Sequence, residues 1–320
     1  VTGVQTCALP IFLLFVKNVR KITLCEVNKA SGKLANSYTV EAALSKEDEA
    51  KREAFADYIE QIGKSAKERG GINPRGIPVK KVSYVLDITD TCGNAEKWLI
   101  VQQVGFEKDV QESIMNAFRR QELGMLPRGG VACLLKRHSR YTFPRQKKAY
   151  CFLPLPLETN LPVHVNGHFA LDHEARRSLW RDEGDRGGYR SDWNNALLTD
   201  VVASCYISML VEVQKFLKLP TVQDASPQTE CEIISKLNVY ESYFPIKIPS
   251  DQYWKTLVHS VYQEMNKMEA KVLPVVKKRS LDGASKITDE SATAEITWLP
   301  PTGTDRKSTR LNSSHVRTSR

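Results

Sequence analysis

Alternation of apolar and polar residues predicts β-structure in the first half of the chain. Residues 12–40 alternate on both sides of a glycine-containing break, which predicts a strand, a turn and a strand. Residues 82–88 alternate in the same way, and residues 98–104 form a second β-rich run after a cluster of turn residues. Together they predict a hairpin or two neighbouring strands. Shorter apolar runs at 131–135 and 149–153 predict two further strands.

Apolar residues at helical spacing predict four helices. Ser45 precedes a run of acidic residues and begins a helix that extends to about Arg69, where two glycines stop it. A short helix is predicted over 108–123, a long one from Ser191 to Leu217, and another over 251–272. We therefore predict an α+β fold with a mixed or antiparallel sheet in the N-terminal two thirds and packed long helices in the C-terminal third.

An Asn-Gly pair stands between two apolar runs just before the longest helix. Asn166 and Gly167 follow one run and precede the other, and Asn-Gly readily adopts the positive φ angles of a tight turn. The sequence therefore predicts a hairpin here, which leads into the helix that contains Trp193.

The two ends of the chain are related as DNA although they look unrelated as protein. Residues 1–11 and 305–315 can be encoded by reverse-complementary codons, and both resemble the in-frame translation of one sequencing-library adapter. The alternative is a natural terminus of unusual composition. We assign 1–11 and 305–320 to the adapter and exclude them from fold reasoning. The remainder divides into an α+β region at 12–190, a helical region at 191–275 and a polar linker at 276–304.

Composition restricts the function once these ends are removed. The formal net charge is +9, and the tail carries five basic residues and one acidic residue, so the natural part has a charge of about +5. Charge alone therefore does not indicate nucleic-acid binding. The six cysteines outside the adapter have no Cys-x-x-Cys spacing, which argues against a zinc site or a disulfide framework and fits a reducing compartment such as the cytoplasm. The apolar run at 9–16 is shorter than the roughly 20 residues that cross a membrane, so we expect no membrane partner.

Three ordered motifs carry a resemblance to a known family. FLPLP begins at Phe152, LPVHVNGHFAL contains Asn166 and Gly167, and RRSLWRD contains Trp180; helix residues around Trp193 follow. This pattern resembles the sacsin family of very large proteins, whose repeats begin with an ATP-binding lobe similar to that of the ninety-kilodalton heat-shock chaperones. FLLFVKNVRKI, from Phe12, resembles the start of the segment that follows that lobe.

The resemblance implies a place downstream of the ATP-binding lobe. Neither D-x-G-x-G nor G-x-G-x-G occurs, and the glycines at 184–188 are typical of a flexible turn. ATP and magnesium would then bind in the upstream lobe of the parent protein, with no cofactor held here. The implied role is that of a non-catalytic scaffold that contacts protein clients or co-chaperones in protein quality control, next to the ATP-binding lobe.

In related ATPases the domain after the lobe directs a cation toward the γ-phosphate, which needs a positive partner during transfer. The candidates here are Arg176, Arg177 and Arg181. The alternative is that these side chains lie over the Trp180 ring or cap nearby helices.

Other chemistry is less well supported by the sequence. His164, His168 and His173 are candidate metal ligands, but two close histidines do not make a zinc site, so no metal is predicted. The cationic stretch 136–148 contains Tyr141 and Phe143 and could form a nucleic-acid-binding module, or else a solvated loop. A further alternative is the middle domain of a MutL-type DNA-repair ATPase, where a V-N-G turn also precedes a helix.

Overall fold

The computed structural model of the chain describes residues 9–29, 31–138, 146–173, 176–182, 188–219, 230–267, 270–278 and 294–299. In these ranges an eight-stranded mixed sheet occupies the N-terminal part, and packed helices follow. The predicted α+β fold is therefore confirmed.

The strands of the large sheet are β1 Lys21–Val27, β2 Leu34–Ala43, β3 Lys80–Asp90, β4 Ala95–Val104, β5 Arg128–His138, β6 Lys148–Cys151, β7 Leu153–Glu158 and β8 His164–Gly167. The helices are α1 Leu9–Phe12, α2 Lys46–Glu68, α3 Glu112–Arg119, α4 Tyr189–Phe216, α5 Glu230–Glu241 and α6 Gln252–Lys267. A separate hairpin consists of β9 Leu273–Lys278 and β10 Ala294–Leu299.

The strand order of the large sheet departs from the chain order at a single place. The first five strands form an antiparallel meander, but β8 pairs with β5 and lies between β5 and β6. The pairing of β6 with β8 is parallel, whereas the other strand pairs of this sheet are antiparallel. The short strand β8 therefore joins the meander to the β6–β7 hairpin.

The predicted turn at Asn166 and Gly167 is wrong. Both residues belong to β8, where they pair with Gly130 and Gly129, and neither has a positive φ. Residues 169–171 form no partner strand, since Leu171 makes only an isolated bridge. Pairing with two strands distant in sequence outweighs the local turn preference of Asn-Gly, and Asn166 is buried within the sheet.

Several predicted elements occur with nearly the expected bounds. The β1–β2 and β3–β4 pairs are antiparallel hairpins, and the Ser45 hydroxyl caps α2 by accepting the Asp48 N–H at 3.1 Å. Helix α3 is shorter than the predicted span 108–123, and α5 had no prediction. Strand β10 and the last residues of β9 lie within 276–304, the region predicted as a polar linker, so part of that region is β-structure. Residues 279–293 lie outside the described residues.

Helix α4 has an apolar surface because it lies in the core. It contains a π-helical turn at Leu197–Val202 and packs against β4 and β5 on one side and α6 on the other. Its 28 residues are long and apolar enough to span a membrane by length and composition, but 72% of the apolar window is buried inside the protein. A core helix passes the same test, so this composition is explained by packing.

The two faces of the sheet bury separate apolar clusters, because alternate residues of each strand point in opposite directions. Leu99, Val101 and Val131 face the helices α4 and α6. Trp98 and Ile100 face the other side, where they pack with the segment 11–15 that follows the start of α1. Helix α2 covers this second face farther along β3 through Phe55.

The backbone of β5 makes its closest approaches at two glycines. A Cβ atom on Gly130 would lie 2.4 Å from the carbonyl oxygen of Val101, and one on Gly129 would lie 3.1 Å from a methyl group of Val202 in α4. Side chains at these positions would therefore push β5 away from β4 and from α4.

We expect Gly130→Ala to lower the free energy of unfolding by about 2–4 kcal/mol, because the added methyl group meets backbone that cannot move aside. Urea unfolding followed by circular dichroism measures this change. Gly124→Ala is the matched control, since a Cβ there meets nothing within 4 Å, and it should change stability by no more than about 0.5 kcal/mol. Equal stability of the two variants would contradict the packing described here.

Candidate functional site

A short loop after β8, the arginine loop, contains two of the three predicted arginines and is held by one carboxylate. Its described residues are 172–173 and 176–178. Asp172 accepts the backbone N–H groups of Arg176 at 3.0 Å, Arg177 at 2.9 Å and Ser178 at 2.7 Å. The Leu171–Leu179 bridge closes the base of the loop. Arg176 has a φ of 50°, in the left-handed region. The carboxylate therefore fixes the backbone in a conformation that it would not adopt readily alone.

The structure separates the predicted arginines into two groups. Arg176 and Arg177 are exposed, and within the described part of the chain neither guanidinium forms an ion pair. Arg181 instead pairs with Asp251 and lies 5.1 Å from the centre of the Tyr253 ring. Arg181 therefore attaches this segment to α6, whereas Arg176 and Arg177 remain available for contact with an anionic group.

The cation that lies over the Trp180 ring is Arg190, which is none of the three arginines predicted. The guanidinium of Arg190, in α4, lies 4.8 Å from the Trp180 ring centre, and the His173 ring lies 4.6 Å away. The Trp180 indole N–H donates to the Asp182 carboxylate at 2.9 Å. Trp180 is thus a packing residue that connects the loop to the start of α4.

Trp193 and its neighbour Asn194 hold the chain between β8 and the loop. The Trp193 indole N–H donates to the carbonyl oxygen of His168 at 2.9 Å. The Asn194 side chain accepts the Ala170 N–H at 2.8 Å and donates to the Ala170 carbonyl at 2.9 Å. These buried contacts satisfy backbone groups that have no strand partner. Helix α4 therefore fixes the position of the arginine loop relative to the sheet.

A partly buried polar network that the sequence did not indicate joins the sheet to α4. The Lys81 ammonium donates to the hydroxyls of Ser204 at 2.7 Å and Ser208 at 3.1 Å, and it lies 3.6 Å from the Glu107 carboxylate. Ser204 donates to Glu107 at 2.9 Å. The network therefore ties β3 and the segment after β4 to α4.

Asp200 extends this network from the π-helical turn. Its carboxylate accepts the backbone N–H groups of Glu107 at 3.2 Å and Lys108 at 2.9 Å, while burial raises its pKa above the ordinary value. The Lys108 ammonium donates to the carbonyl of Thr199 at 2.8 Å and pairs with Glu264 of α6 at 2.8 Å. The segment after β4 is therefore tied to both long helices.

The histidines act as hydrogen-bond acceptors for the backbone. His164 Nδ1 accepts the Lys148 N–H at 3.0 Å, and His168 Nδ1 accepts the Leu126 N–H at 3.2 Å. Among the described residues no three His, Cys, Asp or Glu side chains come together as a metal site. His173 packs against Trp180, as described above.

The predicted cationic stretch is only partly described. Arg137 pairs with Glu96 at 3.0 Å, and the Lys147 ammonium lies 5.0 Å from the centre of the Trp98 ring. Arg140, Tyr141, Phe143 and Arg145 lie outside the described residues. Of the four lysines and arginines that the structure describes in this stretch, Arg137 and Lys147 are thus engaged with the sheet.

Two cysteines are deeply buried and three are exposed. Burial raises the pKa of the Cys133 and Cys205 thiols to about 12. Cys25, Cys92 and Cys231 are exposed. Since the thiolate is the reactive form, Cys133 and Cys205 are inert in the folded protein.

Comparison with known proteins gives one informative result. The chain is 35% identical to sacsin from Homo sapiens over 297 residues, and this alignment covers 90% of the chain. The same alignment covers 6% of the length of sacsin. No family model matches the chain, and no solved structure matches it.

We expect Asp172→Ala to release the arginine loop, because three backbone N–H groups and the Ser178 hydroxyl lose their acceptor. Hydrogen–deuterium exchange at residues 176–178 should become roughly ten- to a hundredfold faster. Asp57→Ala on the exposed face of α2 is the control and should leave this exchange unchanged. Unchanged protection in Asp172→Ala would show that other contacts fix the loop.

A second expectation concerns the thiols. Iodoacetamide at pH 8 should label Cys25, Cys92 and Cys231 in the folded protein and should leave Cys133 and Cys205 unmodified until denaturant is added. Peptide mass spectrometry with and without denaturant measures each site. Rapid labelling of Cys133 under native conditions would be incompatible with its burial.

Proposed function

The chain is a sacsin-like segment, and from this premise we propose that it is a non-catalytic scaffold that connects an adjacent ATP-binding lobe to protein clients or co-chaperones. The parent protein would act in protein quality control in the cytoplasm. ATP and magnesium would bind to the lobe, and this segment would supply contacts to it. Because the chain spans 6% of the length of sacsin, the activity of the whole protein is part of the proposal.

The arginine loop is the observation that carries this proposal. Asp172 fixes the backbone beneath Arg176 and Arg177, so that both guanidinium groups extend from an ordered loop. A contact made from a fixed loop loses less conformational entropy on binding than one made from a flexible loop. Guanidinium groups bind phosphate and carboxylate oxygens with directed hydrogen bonds. This combination suits a partner that presents an anionic group, such as a nucleotide-bearing lobe.

The rigidity of the support favours a coupling role. Arg181, Arg190 and Trp193 connect the loop to α6 and α4, and the Lys81 and Asp200 contacts connect α4 to the sheet. A displacement of the loop by a neighbouring lobe would therefore act on the whole core rather than on a free segment. Communication of this kind needs no catalytic group in the segment itself.

The two alternative functions, a MutL-type middle domain and a nucleic-acid-binding module, lack a supporting observation of their own. The V-N-G similarity to MutL-type ATPases rested on a turn, and Asn166 and Gly167 belong instead to β8. A nucleic-acid-binding module needs cations free to meet phosphates. Arg137 and Lys147 are held by Glu96 and Trp98. We therefore retain the scaffold as the proposed function.

The test uses a polypeptide that carries this segment together with its neighbouring ATP-binding lobe. We expect Arg176→Ala combined with Arg177→Ala to lower ATP turnover by roughly 100-fold, because positive charge that meets the transferring phosphoryl group is lost. Steady-state phosphate release measures turnover.

The control is Lys29→Ala combined with Lys33→Ala, which removes the same charge from the exposed turn between β1 and β2. It should leave turnover unchanged. If the arginine pair also left turnover unchanged while the proteins remained folded, these residues would have no role toward the phosphate.

A further inference from the structure

A largely buried arginine at the start of β5 has no carboxylate partner among the described residues. The Arg128 guanidinium lies between two aromatic rings, 5.7 Å from the centre of Phe55 and 5.4 Å from the centre of Phe152. One nitrogen, Nη2, donates to the Gln102 side-chain oxygen at 2.8 Å. Its Nε is buried and has no hydrogen-bond partner in the described part of the protein. The charge is therefore held by rings and one neutral amide.

The neighbours of Arg128 make its position electrostatically unfavourable. Burial lowers the pKa of the Arg128 guanidinium; Tyr84 opposes this shift, and the positive charge of Arg52 adds to it. Cation–π contacts with two rings stabilise a partly desolvated guanidinium less than a carboxylate partner would. Gln102 adds one neutral acceptor. The described residues therefore compensate only part of the desolvation of the Arg128 charge.

His168 provides a second nitrogen donor close to the Phe152 ring. Its ring lies 5.3 Å from the Phe152 ring, and its Nδ1 accepts the Leu126 N–H, so the neutral imidazole carries its proton on Nε2. Burial, and then the Arg128 charge, lower the pKa of His168. No described residue accepts a hydrogen bond from Nε2. Arg128 and His168 thus both contact the Phe152 ring, and no described carboxylate pairs with either of them.

Phe152 has a strained backbone that supports this arrangement. Its φ is 64°, in the left-handed region, which is unfavourable for a residue other than glycine. The Asn166 side-chain oxygen accepts its N–H at 3.0 Å and holds it there. In this conformation the Phe152 ring contacts both Arg128 and His168. Strain of this kind persists where the surrounding structure imposes it, commonly at binding sites.

We propose that Arg128 and His168 bind a small oxyanion, a phosphate or a carboxylate group, at the edge of the Phe152 ring. The anion would accept hydrogen bonds from Arg128 Nη1 and His168 Nε2 and would balance the buried positive charge. Arg128, Phe152 and His168 all retain partial exposure, so that the anion can reach them from solvent. Either a free phosphate ion or an acidic group of a partner has this chemistry.

The first experiment is isothermal titration calorimetry of the chain with inorganic phosphate and, separately, with acetate, at constant ionic strength. We expect saturable one-to-one binding of at least one of the two. Arg128→Gln keeps a polar side chain beside Gln102 but removes the charge, and it should weaken binding roughly 10- to 100-fold. Arg119→Gln is the matched control at an exposed position of α3 and should bind as the original protein does. Binding of phosphate alone indicates a phosphate ligand, and binding of acetate as well indicates a carboxylate partner.

A second measurement needs no variant and decides the question if Arg128→Gln fails to fold. The ring resonances of His168 are followed by NMR during the same titrations, with His259 of α6 as the internal reference. A saturable shift of His168 without a shift of His259 supports the site. No saturable heat and no shift of His168 with either anion would overturn the proposal, as would unchanged binding by folded Arg128→Gln.

Discussion

The close contact of β5 with β4 and with α4 is the constraint on which the rest of the structure depends. It is possible because Gly129 and Gly130 carry no side chain where the Val101 carbonyl and the Val202 methyl group approach. Strand β8 then pairs with the same two glycines, which places Asn166 at the centre of the sheet. From there Asn166 holds the backbone of Phe152. The backbone geometry of Gly129 and Gly130 therefore determines the positions of both the proposed oxyanion site and the arginine loop.

Much of the fold could be predicted because local signals agreed with the final pairing. The Ser45 cap, the glycine stop after Arg69, the alternation in β3 and the β-rich run in β4 each act over a few residues and are satisfied locally. The prediction failed at Asn166 and Gly167, where local preference and long-range pairing conflict. Helix α5 was missed because its apolar residues show little periodicity, although Ile233 and Tyr240 are buried. The strand predicted over 131–135 is longer than its apolar run and spans Arg128–His138.

The candidate sites were less predictable than the fold, for a physical reason. The RRSLWRD motif indicated cations, but it did not indicate their partners. The three-dimensional structure shows that Arg181 pairs with Asp251, whereas Arg176 and Arg177 lie on a loop fixed by Asp172. The Lys81 network links residues more than a hundred positions apart in the chain. Arg128 gave no sequence signal of its own, because an arginine beside proline and glycines is typical of a solvent-exposed turn. Its significance comes from burial without a carboxylate.

The position of β8 between β5 and β6 has a consequence for the order of assembly during synthesis. Strands β1 to β5 can form their meander in the order in which the ribosome releases them. The open edge of β5 must then wait until His164–Gly167 emerges, although β6 and β7 have already appeared. An unpaired strand edge is a site of incorrect association. Until the four-residue strand β8 enters the sheet, the nascent chain therefore exposes the unpaired edge of β5 to incorrect association.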